Sequence, residues 1–414
     1  NLSIVDCIFL NNEDDVIGGN QPNNSTSAEI TILNSISWGN TLFSSNNWPN
    51  INLSVSYSCV EGGFAGTGNI SEDPNFCNPF ADQLTLPQSS PCIGVGWYNE
   101  NIGGLDIGCS NSMTTFYVDD DGEEDGVGTL NEPLVNISNS LRSLASGDTV
   151  IVYPGTYEGN INFNDKSIVL ASRILETGNT AYIDSTVIEG IVTINDGVDS
   201  TALFTGFTIT GDHTERGLDI LSDHNVLIER VNVLGVGGVH VNNATVRLYD
   251  MTVKHNTRTD AGGGIKIYNS TTDLINVLID SNASTSSYGG GIMIEQSAMT
   301  MNEVTIVNNT SSASGGGIYN HDNSMLNITN SRVLGNSSNS TGGGIYNEEN
   351  CNLFLDDVQV DFNSSSYGGG LYNRGFFSIM ESTFNFNTFD ALKVTTLRAV
   401  IGTSSPVLGF LPIL

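Results

Sequence analysis

Cations are scarce in this sequence. Thirteen Lys and Arg stand against 45 Asp and Glu, a formal net charge of -32 over 414 residues. Nucleic acid is thereby excluded as a partner, because phosphate binding needs clustered cations, and anionic membrane surfaces are disfavoured for the same reason. No apolar run is long enough to span a bilayer, so no direct membrane insertion is expected. The six cysteines include no Cys-x-x-Cys pair, which removes the usual zinc spacings. The first residues, Ser3-Ile4-Val5-Asp6, already read as a strand, with neither an initiator Met nor a signal peptide before them. The expectation is a piece of a larger secreted polypeptide.

What is abundant is repetition. Glycine triplets followed by an aliphatic residue end at Gly264, Gly291, Gly317, Gly344 and Gly370, in steps of 27, 26, 27 and 26 residues. In phase with them an apolar residue stands three before an Asn, giving Asn256, Asn282, Asn309, Asn336 and Asn363, with Phe384 and Asn387 as a sixth instance. Self-similarity at this period means a supersecondary unit that stacks on its neighbours. Between the marks lie β-rich alternating runs such as Thr272–Ile279 and Asn352–Val360, closed by Gly, Asn and Ser. The unit is therefore one coil of a parallel β-helix with a rise of about 4.8 Å. Glycine suits a corner where coils superimpose closely, and Asn tolerates left-handed backbone and can bond to its counterpart one coil away. A glycine column and an asparagine ladder are the structural expectation.

Earlier segments extend the array. Gly237-Gly238-Val239 lies one period upstream, and Thr149–Val152, Ser167–Leu170, Ile191–Ile194 and Phe204–Ile209 read as strands of less regular coils. The stretch Phe116-Tyr117-Val118-Asp119-Asp120-Asp121-Gly122, then Ile137–Leu144, then Gly147–Tyr157 resembles the opening of right-handed β-helix proteins of the pectate-lyase-like superfamily. That resemblance implies a short helix over the first coil, and the spacing of Ile137, Leu141 and Leu144 fits one apolar helical face. Residues 1–112 resemble the closing coils of such a domain. The fold expected is all-β, with two tandem right-handed parallel β-helix units. Residues 1–112 would be the last coils and cap of a first helix, 113–150 the N-terminal cap of a second, 151–390 its coils, and 391–414 a closing segment or the start of another element. Cys59, Cys77, Cys92 and Cys109 crowd the closing coils, where two disulfides are plausible in an oxidising compartment, with the pairing open.

Three constellations bear on chemistry. Asp119, Asp121 and Asp125, with Gly122 between them, resemble an acidic calcium loop without the distal bidentate Glu; calcium is the one cofactor considered, against a solvated acidic cap. Lys254, His255, Arg258 and Lys266 cluster in a cation-poor chain, and coil alignment stacks Lys254 over Asp280. The resemblance to polysaccharide lyases on this fold makes Lys254, Arg258, Lys266 and Asp280 the catalytic candidates, against simple charge compensation. The Gly-His-Gly and Arg-x-Lys of the glycosidase branch are absent, and Asp356-Asp357 is a generic adjacent pair. Tyr319, Tyr346 and Tyr372 follow the aliphatic residue after the glycines and should form an outward column, for stacking on sugar rings or for ladder stability alone.

The paired marks over roughly 236–390 also resemble passenger domains of chlamydial polymorphic outer-membrane proteins, which implies adhesion. The reading is thus an extracellular or cell-surface stalk, adhesin or filament component without catalysis. Its partners would be a glycan, a protein surface or further copies of itself. The alternative is a carbohydrate-active enzyme, a polysaccharide lyase before a glycoside hydrolase.

Overall fold

The computed structural model describes residues 2–10, 28–38, 40, 51–74, 76, 84–87, 90–109, 115–122, 126–142, 144–195, 197–211, 215–394 and 399–402. Two compact units divide the chain, Asn1–Val150 and Ile151–Leu414. The fold is a parallel β-helix, as the repeats require. Among the described residues no helix is long and apolar enough to cross a membrane.

In the second unit each regular coil runs through three sheets. A ten-stranded sheet begins with Ile161–Asn162 and Val192–Ile194 and continues through Leu218–Ile220, Val239–Asn242, Ile265–Tyr268, Ile292–Glu295, Ile318–His321, Ile345–Asn347, Leu371–Asn373 and Leu392–Val394. The chain then enters a long sheet and bends within it. Thr272–Ile279 is accordingly two strands, Thr271–Ile275 and Leu278–Asp280, broken at Asn276, whose φ is +53°. The bend shifts the side-chain alternation: in Asn225–Leu234 the buried residues are Val226 and Ile228 before Arg230, and Val231 and Val233 after it. Asp250, Glu303, Asn330 and Asp357 make the same left-handed bend in other coils. A short third sheet, Thr257–Arg258, Ala283–Ser284, Thr310–Ser311 and Ser337–Ser338, leads to the glycine corner.

Each glycine triplet has two jobs. Its first member holds positive φ, from +62° to +70° at Gly262, Gly289, Gly315, Gly342 and Gly368. The later members allow close approach: a Cβ on Gly316 would sit 2.4 Å from the carbonyl oxygens of Gly343 and Ser337. The corner glycines form a column, with Gly264 N–H donating to Gly291 O, Gly291 to Gly317 and Gly317 to Gly344. Behind them runs the buried asparagine ladder, in which Asn256, Asn282, Asn309, Asn336 and Asn363 all lie within 1% exposure. Asn309 is typical. Its Nδ2 donates to Ile279 O and to Asn336 Oδ1, and its Oδ1 accepts from the backbone N–H and Nδ2 of Asn282, all at 2.9 Å.

A second ladder went unforeseen: Asn320, Asn347 and Asn373 point inward from the ten-stranded sheet, fully buried, with Nδ2 of Asn320 donating to Asn347, Nδ2 of Asn347 to Asn373 and Nδ2 of Asn373 to Gly375 O, each at 2.7 Å. Asn320 Oδ1 has no partner, because the preceding rung carries Ile294 at that position. Two short helices, Ile174–Thr177 and Ala181–Ser185, interrupt the early coils, which the sequence showed only as irregular.

The first unit repeats the pattern in brief. Leu2–Val5, Ala28–Leu33 and Ile51–Ser56 form one three-stranded parallel sheet, and Ile8–Leu10, Ile36–Trp38 and Cys59–Val60 another. Ile137 and Leu141 are buried, as an amphipathic helix over Ile137–Arg142 requires, and Leu144, beyond the helix end, is buried as well. Of the cysteines considered for disulfides, Cys59 and Cys92 are free thiols in a core cluster with Ile36, Trp38, Phe76, Leu86 and Ile102. The Cys59 thiol donates to Glu72 O at 3.2 Å, and its contact with the Cys92 thiol together with burial raises its pKa, keeping it protonated. Cys7 and Cys351 are free as well. Cys77 lies outside the described residues, as do residue 125 and the segment 403–414, and of Cys109 only the strand backbone is described.

Truncating one rung of the buried ladder should be costly, since it strands the Asn282 N–H in a dry interior and takes one of two partners from Asn282 Nδ2 and from Asn336 Oδ1. Asn309→Ala is expected to lower unfolding free energy by on the order of 3 kcal/mol, measured by urea denaturation of the whole chain.

Candidate active site

The ten-stranded sheet presents every second residue outward, and register lines these up in one column. It reads Thr193, Asp219, His240, Lys266, Met293, Tyr319, Tyr346, Tyr372 and Lys393. The column changes chemistry partway, from charged groups to aromatic ones.

At the charged end lies a cavity of about 260 Å³ lined by Ile191, Glu215, Arg216, Asp219, His240, Arg258, Asp260 and Lys266. Asp260 is its hub. Arg216 Nη2 stands 3.0 Å from Asp260 Oδ2, Arg258 Nε 2.8 Å from Oδ1, and Lys266 Nζ 3.7 Å from Oδ2. Burial opposes ionisation of Asp260, but hydrogen bonds and charge from Arg258 and Arg216 outweigh it and hold its pKa below the ordinary 3.8. Arg216 is buried and also donates to the carbonyls of Gly237, Ala261 and Gly262, so it serves as a strut between coils. Desolvation lowers the pKa of its guanidinium, and Asp260 offsets part of that cost. Next to the hub, His240 Nδ1 lies 2.8 Å from Asp219 Oδ1, with Lys266 one rung further. The carboxylate fixes the imidazole tautomer, placing the proton on Nδ1 and a lone pair on Nε2. Three cations beside Glu215, Asp219 and Asp260 make this region locally balanced in a chain of charge -32.

The four sequence candidates divide between two places. Arg258 and Lys266 meet at the cavity, whereas Lys254 and Asp280 lie on adjacent strands of the long sheet, paired at 2.9 Å. Burial works against the charge of Asp280, and hydrogen bonds from Lys254, Ser281 and Asn308 overcome it and lower its pKa. Lys254 is thus neutralised away from the cavity. Arg216, Asp219 and His240 were missed, because they stand in coils where the glycine mark is incomplete. The legible signal was the 26-residue step from His240 to Lys266.

The tyrosines stack chiefly on one another. Tyr319 lies between Tyr288 at 4.6 Å and Tyr346 at 4.9 Å, and Tyr346 is covered again by Tyr372 at 5.4 Å, between ring centroids. Both faces of Tyr319 and Tyr346 are therefore occupied, and Met293 and Ala261 complete the cluster. Burial, then the charge of Glu348, raises the Tyr319 phenol pKa. Stacking on a sugar face is left to Tyr288, 43% exposed, and to Tyr372 at the other end of the stack. In the first unit the carboxylates of Asp119, Asp120 and Asp121 come within 4.8 Å of one another, a set that can hold a hard divalent cation. Asp125 is outside the described residues.

No protein-family model matches the chain, and no curated protein matches it significantly. Among solved structures it is similar to pectate lyase Pel9A, with 16% identity over 72% of this chain and 81% of that one, at a TM-score of 0.36. It is similar also to ORF18 of Geobacillus virus E2, with 16% identity over 70% and 61% of the two chains and a TM-score of 0.37. A pectin methylesterase from carrot matches at 12% identity over 70% and 90%, with a TM-score of 0.33. Likeness at this level carries no argument about what this chain does.

The depressed pKa of Asp260 sets a pH dependence. Its ion pairs contribute fully above the unfolded value of 3.8 and are lost as pH falls below it toward the lower folded value. The thermal midpoint of the wild type should drop through this window more steeply than that of Asp260→Asn, as calorimetry at a series of pH values would show.

Proposed function

We propose that the chain is a carbohydrate-active enzyme that binds an acidic polysaccharide at this cavity and cleaves it by β-elimination. The observation that supports the reading is the meeting of Arg258 and Lys266 with an oriented His240–Asp219 pair in one recess, in a chain otherwise poor in cations. A uronate ring needs its carboxylate neutralised before the neighbouring C5 proton becomes acidic enough to remove. Lys266, 29% exposed and 3.7 Å from Asp260, and Arg258 beside it supply that charge. His240 Nε2 takes the proton, the C5–H electrons form the C4–C5 double bond, and the C4–O bond breaks. The leaving oxygen gains a proton from water. Asp219 holds the imidazole in the required tautomer and stabilises the imidazolium.

Arg216 and Asp260 are positioning groups in this scheme, fixing the coil corners from which Arg258 and Lys266 reach the recess. Extracellular placement accords with a polymeric substrate and with the acidic surface. The regular coils beyond Met293 would serve as a stalk.

The test is incubation with polygalacturonate, alginate and hyaluronan, following unsaturated uronate products. Turnover of one of them is expected, and His240→Ala should reduce kcat by about 10²-fold or more, the usual worth of a general base. Lys254→Ala should leave the rate unchanged. Absence of turnover on all three, with the protein folded, would return the chain to the non-catalytic stalk or adhesin reading.

A further inference from the structure

Away from the cavity, one turn position along the solenoid is occupied in a way that folding does not explain. The residue before each ladder asparagine is His255, Ser281, Asn308, Gly335, Phe362 and Phe386 in successive coils. All six are left-handed, with φ from 55° to 61°. The first five donate their N–H to the next coil in the same way, His255 to Asp280 O, Ser281 to Val307 O, Asn308 to Leu334 O, Gly335 to Asp361 O and Phe362 to Asn385 O. Such a position favours Gly and Asn, and a bulky side chain there is strained. The last two coils nevertheless carry phenylalanine. Neither ring adds to the core, since Phe362 is 59% and Phe386 77% exposed. Strain and exposure together point away from a packing role.

The rings stack along the column, with centroids 4.9 Å apart and planes within 9°. One face of Phe362 therefore meets Phe386, and the other looks toward Gly335, which has no side chain. Beyond Gly335, one further rung of about 4.8 Å, stands Asn308. A Cβ built on Gly335 would meet nothing within 4 Å except Asn308 Oδ1, at 3.0 Å. The missing side chain thus leaves a slot one rung high, with an aromatic face on one side and an amide on the other.

We propose that Phe362, Gly335 and Asn308 form a subsite for the pyranose ring of a neutral glycan. A pyranose has the matching character, a C–H face that stacks on an aromatic ring and hydroxyls that bond to an amide. The cavity offsets the charge of -32 with three cations, but the slot is built of Phe, Gly and Asn, so an anionic ligand is disfavoured here, and a second copy of the chain carries the same charge. The subsite stands apart from the lyase reading and does not depend on it.

Affinity electrophoresis in gels containing hydroxyethylcellulose, laminarin or galactomannan tests this. Retardation by at least one of the three is expected. Phe362→Asn and Gly335→Phe should each weaken it about tenfold, the worth of one stacking face. Both variants place in the column a residue it already holds at the same φ, and Phe362→Asn, relieved of strain, should melt no lower than the wild type. His240→Ala should be retarded like the wild type. Migration unaffected by all three polymers, or retardation that both slot variants retain, would overturn the assignment. So would a change of sedimentation coefficient in Phe362→Asn, which would mark the rings as a contact between copies.

Discussion

Everything in the second unit depends on one requirement: successive coils must superimpose at hydrogen-bonding distance. Parallel strands impose this on the sheets, but the corners are where it becomes restrictive, because there the backbone turns inward and its polar groups lose water. The glycine column and the asparagine ladder meet the two halves of the requirement. Glycine removes the Cβ that would strike the next coil, 2.4 Å from a carbonyl at Gly316, and asparagine supplies donors and acceptors to the backbone it buries. Neither would suffice alone, since a close corner without the amides would take the acceptor from backbone groups such as the Asn282 N–H.

That requirement also explains how much could be read in advance. Gly264 through Gly370 and Asn256 through Asn363 recur because the corner leaves no alternative, so the fold was legible from period and residue type. The bends at Asn276 and Asp357 were not, because a left-handed residue inside an apolar run shifts the alternation without interrupting it. The inward ladder from Asn320 to Asn373 was hidden for a related reason: asparagine between aliphatic residues resembles a strand end, and only the register shows three of them facing the interior.

The cavity was half legible. Arg258 and Lys266 stood out as cations in a cation-poor chain, and the same reasoning drew in Lys254, which proved to be paired with Asp280 on another sheet. Sequence proximity misleads in a solenoid, where four residues along the chain turn a corner and 26 residues bring two side chains together. Arg216, Asp219 and His240 belong to coils that keep the register of the array without its marks, so nothing local identified them. The departures from regularity are where the charged side chains of the cavity meet. A coil that repeats its neighbour offers one contact many times over, while a coil that differs can bring unlike groups to one place.

The unpartnered oxygen of Asn320 marks a boundary of a different kind. The triplets Ile318-Tyr319-Asn320, Ile345-Tyr346-Asn347 and Leu371-Tyr372-Asn373 share both an inward amide and an outward phenol, whereas the rung before them, Ile292-Met293-Ile294, has neither. Where a rung that turns an amide inward meets one that turns an aliphatic side chain inward, one hydrogen bond has no counterpart. In this sense the orphan acceptor is a joint in the masonry, where courses of two kinds rest on one another and the mortar is one bond short.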